Sequence, residues 1–168
     1  PVSIENIPIE LQHAVVAIED KDFYKHQGFD LLTIVRIPYN ILFKQRVIGG
    51  STLTQQLVKN ALLTNERSVV RKFKELVLSL QIERKFTKDQ ILEMYLNYIS
   101  YGGTAVGIEA AANRYFDTHA KDLTLAQAAL LAGLPQAPST YSPFGSNPEN
   151  KKNRQKDVLR RMREDGYI

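Results

Sequence analysis

No stretch of this chain alternates apolar and polar residues as a half-buried strand requires. Apolar residues recur instead three and four positions apart, in one segment after another, and that rhythm restricts the chain to a fold that is almost wholly helical. Leu11, Ala14, Val15 and Ile18 place one helix over residues 9–20. Residues 53–64 and 68–85 read as two more, the second carrying an apolar stripe of Val69, Val70, Phe73, Leu76, Val77, Leu80 and Ile82. Thr87 with Gln90 three positions on is a capped start and predicts a helix over 88–98. Residues 108–115 and 124–134 predict short alanine-rich helices that can approach closely. Pro135, Pro138, Pro143 and Pro148 predict an ordered loop without helix. A basic helix follows over 148–165, with seven cations and one acid between Lys151 and Arg163. It is either a solvated face or a contact for an anionic surface.

Composition narrows the partners. A chain of 168 residues that is 43% hydrophobic can bury a real core in one domain or a two-lobed one. The absence of cysteine excludes a disulfide scaffold, a thiolate metal site and a cysteine nucleophile. A net charge of +4 favours anionic partners: phosphates, nucleic acid or an acidic membrane face. No apolar run approaches the roughly 20 residues of a membrane span, and no signal-peptide pattern opens the chain. Pro1 is not a natural start, so the chain reads as an internal piece of a longer protein. Residues 31–47 are apolar but broken by Pro38 and punctuated by Arg36, Lys44 and Arg46. They suit either a kinked core helix or a lobe that dips into a membrane interface with its cations at the headgroups.

Three clusters carry chemistry. Glu19 and Asp20 end the first helix, where the dipole disfavours anions, a local inconsistency of the kind functional sites show. Phe23 can exclude water and raise a carboxylate pKa, as a general base needs, and His26 can orient an acidic neighbour. Gly28 permits a tight turn. A metal at His26 is not expected, since no second histidine stands at ligand spacing. The second cluster runs from Gly49 to Asn60. It lacks the spacing of a P-loop, yet Gly49 and Gly50 allow close backbone approach, and Ser51 and Thr52 offer hydroxyls at a helix N-terminus. Gln55 and Gln56 suit sugar hydroxyls or phosphate oxygens, and Lys59 adds charge one turn on. The third cluster sets Glu75 among Arg67, Arg71, Lys72 and Lys74. An Arg71–Glu75 pair could be a plain helix salt bridge worth only about 0.3–0.5 kcal/mol. A carboxylate so surrounded stays ionised and can order cations or a metal around an anionic leaving group. Together the clusters describe a transfer in which one carboxylate takes a proton from a hydroxyl while cations and amides hold a departing phosphate or pyrophosphate. A glycosidase would want a neutral acid at the leaving oxygen instead.

These residues resemble the peptidoglycan glycosyltransferase family, the transglycosylase domain of class A penicillin-binding proteins and of monofunctional transglycosylases, over nearly the whole chain. Glu19, Asp20, Phe23, His26 and Gly28 meet one family pattern, and the run from Gly49 or Gly50 to Asn60 meets a second. Arg71, Lys72 and Glu75 meet a third; Lys88, Ile91, Leu92, Tyr95 and Asn97 a fourth; Arg154, Val158 and Leu159 a fifth. Ser79, where the family usually has alanine, and Leu76 depart from the pattern at positions that read as packing.

The resemblance implies a mainly α, lysozyme-like, two-lobed domain over 1–168, with a small membrane-proximal jaw at about residues 31–48. The implied substrate is lipid II, a disaccharide-pentapeptide on a polyprenyl pyrophosphate, polymerised into β-1,4-linked strands with inversion. Glu19 is the implied general base toward the acceptor 4-hydroxyl, and Glu75 assists at the pyrophosphate. Lys59, Arg67, Arg71 and Lys72 would neutralise the diphosphate, with a divalent cation, magnesium or manganese, as an optional addition and no obligatory cofactor. Asp20, Phe23, His26, Gly50, Ser51, Thr52, Gln55, Gln56 and Asn60 would line the substrate subsites, and Tyr95 and Asn97 would lock the scaffold. The implied setting is the outer face of a bacterial membrane, with the growing glycan as partner and a fused transpeptidase domain an option for the parent protein. Glycan cleavage on a lysozyme-like fold accounts for Glu19 but not for the cations. A non-catalytic module that captures lipid-linked glycan is a further alternative. Nucleic acid is not an expected partner, because the basic tail lacks interleaved aromatics.

Overall fold

The computed structural model describes residues 1–29, 50–63 and 68–168. Arg67, Gly49 and the jaw segment at about 31–48 lie outside these residues. Among the described residues there are eight α-helices and no sheet; one isolated bridge joins Ser100 to Val106. The helices are α1 (Ile9–Glu19), α2 (Leu53–Leu62), α3 (Val69–Lys85), α4 (Lys88–Tyr98), α5 (Ile108–Phe116), α6 (Leu125–Ala132), α7 (Pro138–Tyr141) and α8 (Pro148–Glu164).

Local sequence sets the helix starts. Thr52, Thr87 and Thr124 each cap a helix through a reciprocal box with a glutamine three residues on, Gln55, Gln90 and Gln127. Each box satisfies two backbone donors that a helix start leaves open. Asn147 caps α8, with Pro148 at the first helical position, where its missing N–H is not needed.

Helix α1 is the central post. Leu11, Ala14, Val15, Val16, Ala17 and Ile18 are all buried, and α6 and α8 pack along it. Ala128, Ala129 and Ala132 on α6 let the two backbones approach closely, while Val158 and Met162 seat α8. On the other side, α2 packs on α3 and α4. The buried apolar residues of both groups belong to one core.

One expectation is corrected. Residues 135–148 are not free of helix, because Pro138 opens the short α7. The apolar stripe of α3 is left largely uncovered by the described residues: Val69, Val70, Phe73 and Val77 are exposed, and the buried residues of that helix are Glu75 and Ser79. Periodicity identifies the residues that share a face; it does not supply a partner for that face.

Candidate active site

Glu19 closes α1 at the edge of a cavity of about 550 Å³. Of the predicted site residues, Glu19, Gly50, Ser51, Gln56, Lys59 and Asn60 line it. The opposite wall comes from Ser100, Gln136, Pro138, Arg154 and Arg161. Only 9% of the Glu19 side chain is exposed. Its Oε2 accepts from Gln56 Nε2 at 3.1 Å, and its Oε1 lies 3.5 Å from Arg154 Nη2. Burial raises the Glu19 pKa above the usual carboxylate value. The Gln56 bond and the charges of Arg154 and Arg161 oppose that rise, and Asp20 adds to it. The result is a buried carboxyl in a cationic setting that holds a proton more readily than a surface glutamate. That combination suits a general base.

Asp20 points elsewhere. Its Oδ2 receives the backbone N–H of Leu53 at 3.0 Å and contacts His26 Nε2 at 2.7 Å. His26 Nδ1 accepts from the Gly28 N–H, so Nε2 carries the proton and donates it to Asp20. Phe23 is fully buried beneath, with Lys88 Nζ 4.6 Å from its ring centroid. The Thr52 hydroxyl donates to the Gly28 carbonyl at 2.7 Å. Gly28 needs to be glycine: its φ is +96°, and a Cβ there would meet the Ser79 carbonyl at 3.1 Å. Asp20, Phe23, His26, Thr52 and Gln55 therefore clamp the 20–28 turn to the start of α2. They form the floor that positions Glu19 and Ser51 and are not in the cavity wall.

On α3, Glu75 is buried, with Lys72 Nζ 2.7 Å from its Oε1. The same ammonium donates to Ser51 Oγ at 3.3 Å. Glu75 thus reaches the cavity wall through Lys72. Arg71 precedes Lys72 on that helix. Among the described residues no three histidine, aspartate or glutamate side chains gather as a metal site requires.

Sequence reasoning left Arg154 and Arg161 out of the site. Their signal was spacing: with Val158 and Met162 buried, positions 154, 158 and 161 share the face of α8 that looks onto α1. Arg154 Nε is fixed by the Gly133 carbonyl at 3.2 Å, and its guanidinium lies 5.4 Å from the Tyr141 ring centroid. Arg161 donates to the Ile18 carbonyl at the end of α1. The basic helix is therefore neither wholly solvated nor wholly a surface contact, since it supplies one wall of the cavity. No described helix is long and apolar enough to cross a membrane.

A family model described as transglycosylase matches residues 1–163. Penicillin-binding protein 1F of Bacillus subtilis is 46% identical over 169 residues, which are 100% of this chain and 24% of that protein. Penicillin-binding protein 1A of Rickettsia bellii is 49% identical over 171 residues, covering 99% of this chain and 22% of the relative. Penicillin-binding protein 1A of Aquifex aeolicus is 49% identical over 168 residues, covering 99% and 23%. The chain thus spans about a quarter of the length of these relatives.

Proposed function

This chain belongs to the transglycosylase family, and from that premise we propose that it polymerises lipid II into β-1,4-linked glycan strands. The acceptor 4-hydroxyl gives its proton to the Glu19 carboxylate as its oxygen attacks the anomeric carbon of the lipid-linked chain. The bond from that carbon to the diphosphate breaks, and the polyprenyl pyrophosphate leaves with the electron pair. Attack opposite the leaving group inverts the centre.

The observation that carries this reading is Glu19 in its cavity: a buried carboxyl with a raised pKa, facing Lys59, Arg154 and Arg161. Pyrophosphate is already a stable anion, so the leaving side needs positive charge more than a proton. Lys72, held by Glu75, brings a further cation to Ser51, and Arg67 and Arg71 belong to the same sequence cluster. Glu75 then acts on the pyrophosphate side as a positioning residue through Lys72. Asp20, Phe23, His26, Thr52 and Gln55 act by holding the floor, and Gly50, Ser51, Gln56 and Asn60 by lining the subsites. A lysozyme-like, two-lobed arrangement over 1–168 fits this chemistry, with residues 31–48 as a jaw that receives the lipid at the outer face of a bacterial membrane. The much greater length of the relatives leaves room for an anchor and a transpeptidase domain in the parent protein.

The test is incubation with labelled lipid II beside Glu19→Gln. Wild type yields long glycan, and the variant yields none, with a loss of roughly 100-fold or more. Binding of lipid II without polymer would make the chain a capture module. Release of fragments from preformed glycan would move it to the cleaving enzymes.

A further inference from the structure

The amide of Gln56 is held at three points. Its Nε2 donates to Glu19 Oε2 at 3.1 Å and to the Ser51 carbonyl at 3.2 Å. Its Oε1 accepts from the Tyr95 hydroxyl at 3.2 Å. Tyr95 is on α4 and fully buried. Burial and the Glu19 charge push its hydroxyl pKa far up, so it keeps its proton and is a donor throughout the assay range. We propose that Tyr95 is a positioning residue for the transfer: its hydroxyl anchors Gln56 Oε1 and so fixes the amide that delivers an N–H to Glu19. This rests on the reading of Glu19 as the base.

Without the Tyr95 hydroxyl, Gln56 Oε1 loses this donor, and the side chain gains by turning toward other partners. The bond that favours the Glu19 carboxylate then weakens, and Glu19 holds its proton to higher pH. Other groups facing Glu19 are unchanged: Asp20 beside it, Lys59 from α2, Arg154 and Arg161 from α8, and Tyr101 beyond α4. Helix α6, packed along α1, carries no ionisable side chain. Tyr101 is a matched control. It is also fully buried, and its hydroxyl has no hydrogen-bond partner among the described residues, so it is not part of the Gln56 chain.

The experiment measures kcat and KM for labelled lipid II against pH in wild type, Tyr95→Phe, Gln56→Ala, the double variant and Tyr101→Phe. Tyr95→Phe moves the acid limb of kcat up by about 0.5–1 pH unit, with activity recovered on the alkaline side and KM changed less than about two-fold. In the Gln56→Ala background, Tyr95→Phe moves the limb no further. Tyr101→Phe keeps the wild-type limb. A drop that is uniform across pH, an unmoved limb, or a shift that persists without Gln56 overturns the inference. Carbon-13 NMR titration of the Glu19 carboxyl reads the same change without activity, and an unchanged titration in Tyr95→Phe also overturns it. Glu19→Gln separates the two levels. If it still polymerises, the base reading fails; if it is dead while Tyr95→Phe titrates as wild type, only the Tyr95 role fails.

Discussion

Replacing Arg154 by methionine keeps the aliphatic stem in place and removes the guanidinium from a side chain that is only 11% exposed. Three contacts go besides the one to Glu19. The bond to the Gly133 carbonyl is a charged hydrogen bond, contributing about 1.5–3 kcal/mol. The contact with the Tyr141 ring adds about 0.5–1 kcal/mol. The contact to the half-exposed Asp157, at 3.6 Å, adds at most about 1 kcal/mol. The sum is about 2–5 kcal/mol, which for a chain of this size is a fall in Tm of roughly 4–20 °C. The Glu19 contact shows in the pH dependence. Burial already raises the Glu19 pKa, and Arg154 restrains that rise. A folded carboxyl with a raised pKa binds more protons than the unfolded chain, so stability falls as pH climbs from the unfolded value through the folded one. Without Arg154 the folded value moves higher, and that loss continues to higher pH. The deficit of Arg154→Met should therefore be larger at pH 8 than at pH 5, by about 1.4 kcal/mol for each tenfold loss of Glu19 acidity. Thermal unfolding followed by circular dichroism at both pH values measures it. An equal deficit at the two pH values, or a larger one at pH 5, would show that Arg154 and Glu19 are not coupled and refute the reasoning.

Ser79→Ala should be nearly neutral, within about 0.5 kcal/mol in urea unfolding, because its hydroxyl only back-bonds to the Glu75 carbonyl within α3 and alanine is the better helix former. Gly107→Ala should cost about 3 kcal/mol or more and lower Tm by roughly 6–12 °C. The φ there is +84°, and a Cβ would sit 2.6 Å from the Asn97 carbonyl oxygen.

What is legible in the sequence is local. The 88–98 helix follows from Thr87 and Gln90, and the capping box is present with both bonds made. The same grammar at Thr52 and Gln55 reads as ligand chemistry, because a hydroxyl and an amide beside a glycine pair suit a phosphate as well as they suit a cap. In the fold, Gln55 spends its carbonyl oxygen on the Thr52 N–H. Its neighbour Gln56, one residue further round the helix, is the glutamine that faces the cavity. A one-residue step turns a side chain by about 100°, so adjacent glutamines have separate fates that composition does not distinguish. Glu19 is legible because an acid at a helix C-terminus is locally unfavourable. Its partners are not, since Arg154 comes from 135 residues further along the chain. The fate of the α3 stripe is equally non-local: nothing within Val69–Lys85 states what covers it.

The two adjacent acids at the end of α1 show how the fold resolves that local conflict in two different ways. Both carboxylates begin at a helix C-terminus, where the backbone carbonyls repel them. Asp20 escapes: the chain turns there, and its side chain meets the first N–H of α2, so the anion sits at a helix N-terminus with the His26 N–H as second donor. Its charge is thereby turned into the clasp that joins α1 to α2. Glu19 is given no helix N-terminus. Its charge is balanced by one amide N–H and by guanidinium groups that stand at the limit of contact, Arg154 at 3.5 Å. Burial outweighs those partners, which is why its pKa remains raised. A tighter pair would make Glu19 more stable as an anion and a poorer acceptor of a proton, while a looser one would raise its pKa further. The clasp at Asp20 fixes where Glu19 stands, and the loose set of partners from α2 and α8 leaves its pKa raised, as the proposed role of base requires.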